Sequence, residues 1–380
     1  MRVLFINSVC GVRSTGKICA SQAEKYMAEG HECRIAYGRL DDVPTKYRSI
    51  AVRIGCSLDT KIHGLYTRLF DRHGLASWNA TRRFIKWAEK FNPDILWLHN
   101  LHGYYINYEL LFRWIKSRPH MEVKWTLHDC WAFTGHCTHF LLSNCNKWRS
   151  GCENCPAKKS YPSSIAIDNS TNNYKRKKKA FTGVKRMTIY TPSEWLASVV
   201  RESFFGEYSV CVQNNKIDTH VFRRVKSDIL ERYALGNKRI VLGVASVWSK
   251  RKGIDDFISL AKELDDRYRV VLIGVAPDQL RLLPENCIGI ARTNNQQELV
   301  QWYSAADIFF NPTYEDTYPS VNLEAAACGL FVVTYDTGGC RETVGANKGL
   351  LIPTGAWMQL AKRIDEVYET SKRIYSEFLV

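Results

Sequence analysis

Long apolar runs are missing from this 380-residue chain. No stretch approaches the roughly eighteen consecutive apolar residues of a bilayer-crossing helix, which excludes a helical membrane span. The opening segment MRVLFINSVCG has no extended apolar block and no small-residue cleavage site, so a cytoplasmic location is expected. Self-similarity at a period of about 20 to 50 residues is absent too, which excludes a solenoid or a propeller. Acidic residues are the minority, 38 Asp and Glu against 53 Lys and Arg, a formal net charge of +15. That balance suits polyanions, phosphorylated small molecules or an anionic membrane surface, and does not choose among them. An even cysteine count is lacking: the thirteen are mostly single and set in apolar segments, as buried reduced thiols are. Cys10, Cys19, Cys33, Cys56, Cys211, Cys287, Cys328 and Cys340 are accordingly expected in the core.

What is present is an ordinary globular composition, 45% hydrophobic and 24% charged, in a chain too long for one core. Two domains are expected. The first forty residues read as a β-loop-α-β unit: RVLFIN, the turn SVCGVRSTGK, a helical stretch to Glu29, then ECRIAYG. The same grammar returns at 94–100, 122–129 and 186–193, each a short apolar run with a polar end. A second series runs through 239–248, 269–275, 287–290, 307–313 and 330–336. Such strands alternating with helices predict parallel sheets covered on both faces, with ligand-facing residues just beyond the strand C-termini. The expected division is a first domain over 1–221 with a Cys-rich insertion at 130–160, a linker over 222–236, a second domain over 237–357, and a helix over 358–380 returning to the first domain. The basic run NNYKRKKKAF (172–181) is expected to be a solvated helix face or a loop, with phosphate or lipid contact as a further reading.

Acidic side chains gather where a basic protein would be expected to hold anions. In NPTYEDTYPSVNLEAAACG (311–329), Pro319 suits the first turn of a helix and Gly329 its end, so a helix is predicted over about 318–328. Its N-terminal amides suit phosphate. Glu315, Asp316 and Glu324 are acceptors, suited to the donor hydroxyls of ribose and sugars; for Glu315 and Asp316 simple complementarity to the helix dipole is the competing reading.

A carboxylate, seven residues, Glu, then AAACG and a strand resembles the paired-acid motif of retaining family 4 glycosyltransferases. Asp316 and Glu324 have that spacing; the family usually has Glu at the first place, and Glu315 is one residue out of register, so either acid could serve. NSVCGVRSTGK resembles the family's N-terminal glycine loop, and WLHNLHGYY and TLHDCWAFTGHC resemble strand-end segments of a bacterial surface-polysaccharide subgroup. TPSEWL, QNNKIDTHVF, KRKG and TGGCRE follow in the expected order. Two features depart from the pattern. Asn215, Lys216, Ile217 and Asp218 stand where many relatives have Asn-Gly-Ile-Asp, and Val247 stands five residues before Lys252 where an Arg is usual, leaving Arg251 or Lys250 to replace that charge.

The resemblance implies the GT-B fold, two Rossmann-like domains with parallel sheets facing across a cleft. It implies a hexosyltransferase that retains anomeric configuration by same-face attack, in which the leaving phosphate oxygen accepts the acceptor's proton.

 No separate enzyme nucleophile is then required. It also implies no divalent metal for catalysis, and the sequence has no Asp-x-Asp. The donor is expected to be a nucleotide sugar of UDP or GDP type. The acceptor is expected to be a glycan, lipid-linked, in capsule, exopolysaccharide or lipopolysaccharide synthesis at the inner face of the cell membrane. Carried residue by residue, the resemblance gives His128, Asp316 and Glu324 catalytic parts, Glu324 by holding the ribose. Donor contacts are expected from Gly11, Gly16, Lys17, Ser246, Arg251, Lys252, Arg292, Glu315, Thr317, Tyr318, Pro319, Ser320, Gly338 and Gly339. Acceptor contacts are expected from His99, Asn100, His102, Gly103, Tyr104 and Asp129, with the loop DRHGLASWNAT (71–81) beside them. Tyr104 and Tyr105 read equally well as packing under the next helix.

Cys137, Cys145, Cys152 and Cys155 fall within nineteen residues, in a loop expected to be too long to hold itself by packing. A C-x-x-C pair with two more thiols can form a closed tetrahedral zinc site of structural kind, with His136 or His139 as substitutes; free thiols or an occasional disulfide are the alternatives. Two other functions stay open on the sequence: a sugar-nucleotide epimerase of the same fold, and a zinc-stabilised nucleic-acid binder. Against the second, the basic run lacks aromatics at stacking spacing.

Overall fold

Thirteen strands, all paired in parallel, build two separate sheets in the computed structural model, which describes residues 1–345 and 349–378. Residues 346–348 of the expected second domain, and 379–380 of the expected final helix, lie outside the described residues. The chain divides into unit 1, Met1–Asn214, and unit 2, Asn215–Val380.

Unit 1 holds β1 (Arg2–Ile6), β2 (Glu32–Tyr37), β3 (Ala51–Arg53), β4 (Ile95–Leu98), β5 (Glu122–Thr126), β6 (Met187–Thr191) and β7 (Ser209–Val212). Its helices are α1 (Arg13–Ala28), α2 (Ser57–Phe70), α3 (Trp78–Phe91), α4 (Tyr108–Lys116), α5 (Ser170–Phe181) and α6 (Glu194–Glu202). The sheet order is β3-β2-β1-β4-β5-β6-β7. Central strands such as β4, and β1 after Arg2, are apolar along their length because helices cover both faces of the sheet and leave no side wet. Small residues let α1 lie close to the sheet: Gly16, Cys19, Ala20 and Ala23 form its buried face. Asn107 and Ser193 cap α4 and α6, accepting from Leu110 N at 3.0 Å and Leu196 N at 3.1 Å.

Unit 2 holds α7 (Ile229–Arg232), β8 (Arg239–Val244), α8 (Ile254–Glu263), β9 (Tyr268–Ile273), α9 (Pro277–Leu280) and β10 (Cys287–Ile290). It continues with α10 (Gln296–Ala305), β11 (Ile308–Asn311), α11 (Ser320–Ala327), β12 (Phe331–Tyr335), β13 (Gly349–Ile352), α12 (Trp357–Lys362) and α13 (Ile364–Phe378). Its sheet order is β10-β9-β8-β11-β12-β13. The two Rossmann-like parallel sheets expected from the alternating apolar runs are therefore present.

Several local readings differ. The stretch taken as a linker, 222–236, packs into unit 2: Phe222, Ile229 and Leu235 are buried in its core. The final helix has Ile364, Val367 and Tyr368 in the core of unit 2. Cys56 and Cys211 are exposed, one beside the start of α2 and one on the edge strand β7; the other six cysteines expected in the core are buried. In the basic run, Lys177 turns inward on α5 and donates to Trp131 O at 2.6 Å and Thr134 O at 3.0 Å. Its ammonium sits 3.7 Å from the centre of the Trp131 ring, and burial lowers its pKa to about 7. No helix among the described residues is long and apolar enough to cross a membrane.

Candidate active site

Strand order selects where ligands bind before any side chain is considered. In unit 2 the chain runs outward from β8 to β9 and β10, then returns to β11 on the other side of β8, so the sheet's switch point lies between β8 and β11. The loops beyond these strands cross in backbone contact: a Cβ on Gly253 would stand 2.2 Å from Pro312 O. Tyr314 N donates to Arg251 O at 2.8 Å, and Arg251 Nη1 donates to Glu315 O at 2.7 Å. Lys252 Nζ bonds Asp316 Oδ2 at 2.6 Å, with both side chains about four-fifths buried. The loop after β12 joins the same crossing. Gly339 N donates to Asp316 O at 3.0 Å, and Gly338 sits in the left-handed region where a Cβ would stand 2.1 Å from that oxygen.

A buried chain of amides fixes α11 beneath these loops. Asn311 Nδ2 donates to Asn322 Oδ1 at 2.8 Å, and Asn322 Nδ2 donates to Thr343 Oγ1 at 2.8 Å. Pro319 is the residue before α11, no side chain caps the helix start, and Gly329 takes a positive φ beyond its end. Glu324 accepts from the buried Tyr303 hydroxyl at 3.1 Å. The structure thus brings Arg251, Lys252, Glu315, Asp316, Gly338 and Gly339 together, and Thr317, Tyr318, Pro319 and Ser320 lead from that crossing into the helix bearing Glu324. Ser246 is exposed in the loop after β8, whereas Arg292 is exposed beyond the edge strand β10, two strands from the switch point. Sequence reasoning missed Asp256, which accepts from Tyr314 Oη at 3.3 Å and from Tyr335 Oη; burial raises its pKa.

In unit 1 the switch point lies between β1 and β4. Asn7, the residue after β1, accepts from Asn100 N at 3.3 Å and donates to Val9 O at 3.0 Å, so it shapes both loops. His99 Nδ1 and His128 Nε2 are 3.0 Å apart with rings nearly parallel. Burial lowers the pKa of His128 to about 4, and burial together with His128 takes His99 well below the ordinary range. A neutral pair leaves one N–H in that bond, whichever ring carries it.

Asp129 is the anionic member of this end of the sheet. Burial would raise its pKa, but the His102 imidazole and Trp131 N–H outweigh burial and hold it at about 2. Its oxygens are 2.7 Å from His102 Nε2 and 2.9 Å from Trp131 N. Gly103 N donates to His73 Nε2 at 3.2 Å, and the Tyr104 and His73 ring centres are 4.7 Å apart. Tyr161, unanticipated, lies 3.2 Å from His102 Nδ1 through its hydroxyl. Gly11 and Gly16 have packing reasons: a Cβ would stand 2.4 Å from the Tyr47 ring at Gly11 and 2.9 Å from Val9 Cγ2 at Gly16. Lys17 is exposed on α1.

The cysteine loop is held by packing after all, since Phe140 and Trp148 are buried and stack at 5.1 Å. Cys137, Cys145, Cys152 and Cys155 line one small cavity of about 20 Å³. Cys137 and Cys155 hydrogen bond to each other, which pulls Cys155 down to about 7 and raises Cys137, while Cys152 Sγ accepts from Gly135 N at 3.1 Å. Among the described residues no group of three or more His, Cys, Asp or Glu is arranged to hold a metal ion as it stands. His136 has its Nδ1 engaged 2.6 Å from Asp71 Oδ1.

Residues 225–375 match the family model described as glycosyl transferases group 1. The chain is 23% identical over 302 residues to an Escherichia coli protein named as colanic acid biosynthesis glycosyl transferase WcaC, covering 78% of this chain and 72% of the relative. Shorter alignments to other curated relatives span less than half of their lengths. Sucrose-phosphate synthase from Thermosynechococcus elongatus superposes with a TM-score of 0.70 at 13% identity, over 99% of this chain and 94% of that one. Anabaena HepE in complex with UDP-glucose superposes with a TM-score of 0.63 at 15% identity, over 99% of this chain and 95% of that one. The fold is GT-B, and the matched model over residues 225–375 supports glycosyltransferase activity.

Proposed function

We propose that the chain is a retaining glycosyltransferase that moves a hexose from a UDP- or GDP-type nucleotide sugar to a lipid-linked glycan acceptor. The product would belong to a capsule, exopolysaccharide or lipopolysaccharide, built at the inner face of the cell membrane. One observation carries the reading: the three loops at the switch point of unit 2 gather a lysine, an arginine and two acids around the start of α11. Glycosyl transfer breaks the bond from the anomeric carbon to a phosphate oxygen and forms one to an acceptor oxygen. Negative charge grows on the diphosphate and positive charge on the ring, so fixed charges and amides lower the barrier. Lys252, Arg251 and the amides of α11 would take the diphosphate; Glu324 would take the ribose hydroxyls; Asp316 or Glu315 would take the sugar hydroxyls.

Asp316 neutralises Lys252, so donor binding would exchange that carboxylate for phosphate and release Asp316 to the sugar. The acceptor proton would pass to the leaving phosphate oxygen, which leaves no enzyme nucleophile to find. In unit 1, His128 would serve the donor sugar, and His99, Asn100, His102, Gly103, Tyr104 and Asp129 the acceptor. Zinc in the cysteine loop is proposed as structural only. The thiols would have to draw together around it, and no step of transfer uses it. Thermal-shift measurements with UDP, GDP and ADP test the donor reading: stabilisation by UDP or GDP is expected, and no response to any of the three would overturn it.

A further inference from the structure

Helix α2 turns an apolar stripe away from the protein. Leu58, Ile62, Leu65 and Leu69 are 63, 57, 58 and 43% exposed. At 100° per residue their spacing places all four on one face, opposite the buried His63 and Thr67. The helix cannot roll to hide them, because its inner face is bonded into unit 1. His63 Nδ1 lies 2.8 Å from Ser77 Oγ, and Gly74 N donates to His63 Nε2 at 3.0 Å.

The patch extends beyond the helix. Tyr66 packs against Phe70 and Trp78, with ring centres 5.2 and 5.7 Å apart, and both partners are exposed. Ile165 N donates to Arg68 O at 2.9 Å, which sets another exposed isoleucine beside the end of α2. Cations surround this surface. Lys61, Arg68, Arg72 and Arg82 are exposed, and Arg82 lines a shallow hollow with Ile62 and Trp78. The one carboxylate on α2, Asp59, lines the same hollow and is engaged at the start of the helix, accepting from Cys56 N at 2.9 Å.

We propose that this face of unit 1 is a membrane-docking surface that lays the α2 stripe and Trp78 into the headgroup region of an anionic phospholipid bilayer. An apolar stripe alone would suit any oily partner. The ring of four cations selects a surface that is apolar within and negatively charged at its rim, and an aromatic at the border suits the interface. The inference deepens the lipid-linked acceptor part of the proposed function, since a bilayer-docked unit 1 would meet an acceptor anchored in the same bilayer. It does not depend on the donor chemistry.

Cosedimentation of the full chain with vesicles, without nucleotide, tests it. Vesicles containing phosphatidylglycerol are expected to carry the protein down at low salt, with weaker binding at high salt and on phosphatidylcholine alone. The double variant Ile62→Glu, Leu65→Glu is expected to lose at least tenfold in partitioning, and Lys61→Glu, Arg68→Glu to lose a comparable amount on anionic vesicles only. Because these side chains point to solvent, all variants should keep the parent's circular dichroism and its nucleotide-induced thermal shift. Equal binding to both vesicle types, or unaltered binding of the Ile62→Glu, Leu65→Glu variant, would overturn the proposal. So would a lipid-free dimer that this variant makes monomeric, since the stripe would then serve a second copy. Loss of vesicle binding with nucleotide response intact removes the surface and leaves the transferase reading; the reverse result does the opposite.

Discussion

Replacing Glu324 with alanine should separate two effects that meet at one carboxylate. The first is internal. Tyr303 is buried and its hydroxyl donates to Glu324 at 3.1 Å, so the alanine variant strands a buried donor at a cost of about 1 to 3 kcal/mol. For a unit of this size that lowers Tm by roughly 2 to 12 °C. The second is the ribose. Hydrogen bonds from its hydroxyls to a charged acceptor contribute about 3 kcal/mol together, so nucleotide Kd should rise roughly 150-fold. Calorimetric titration with the nucleotide that stabilises the parent protein, run well below the variant's Tm, reads the second effect alone. Tyr303→Phe is the control: it removes the hydroxyl and keeps the acid, so stability should fall while Kd changes by less than about threefold. A Glu324→Ala protein that binds nucleotide within threefold of the parent refutes the ribose assignment, whatever its Tm.

Asp316→Asn removes the carboxylate that occupies Lys252, so nucleotide affinity should rise about fivefold, for an ion-pair contribution near 1 kcal/mol, while sugar transfer falls; weaker nucleotide binding would sink the exchange. Acid should destabilise the fold through His63, His73 and His99, whose pKa values burial lowers, to about 3 for His63. The unfolded chain binds the extra protons, so stability is complete above about pH 6.5 and is lost as pH falls, by roughly 2 kcal/mol per histidine between pH 7 and pH 5. His136 works the other way, since Asp71 outweighs its burial and raises its pKa, and it offsets part of the loss. Urea melts that are flat between pH 7 and pH 5 would contradict this. Metal analysis of protein purified under reducing conditions should find one zinc per chain, lost in a Cys152→Ser, Cys155→Ser variant; a metal-free parent would remove zinc from the cysteine loop.

The sheets were legible where strands are central. Runs such as VLFI and ILWL are apolar throughout because both faces are covered. The strands that escaped notice, β3, β7 and β13, all lie at sheet edges, where partial exposure dilutes the apolar signal. The supposed linker misled for a related reason: its charged residues face water while Phe222, Ile229 and Leu235 anchor it, too widely spaced to read as an element. Within the site, residues following β11 could be placed from strand and helix punctuation. The pairings Lys252 with Asp316 and Tyr303 with Glu324 could not be read from periodicity, because they join segments that only the folded sheet brings together. Tyr161 is the clearest case, reaching His102 from beyond the cysteine loop. Lys177 makes the same point inside one helix, since nothing in a run of lysines marks the one that turns inward.

Where Gly253 meets Pro312 and Gly338 meets Asp316, the main chains approach so closely that neither glycine has room for an added methyl. The contour of this crossing is therefore a property of the main chain and insensitive to most side-chain exchange nearby. A mutagenesis library meant to redirect donor choice should hold positions 253 and 338 constant and place its diversity at Glu315, Thr317 and Tyr318, the side chains that lead from the crossing into α11.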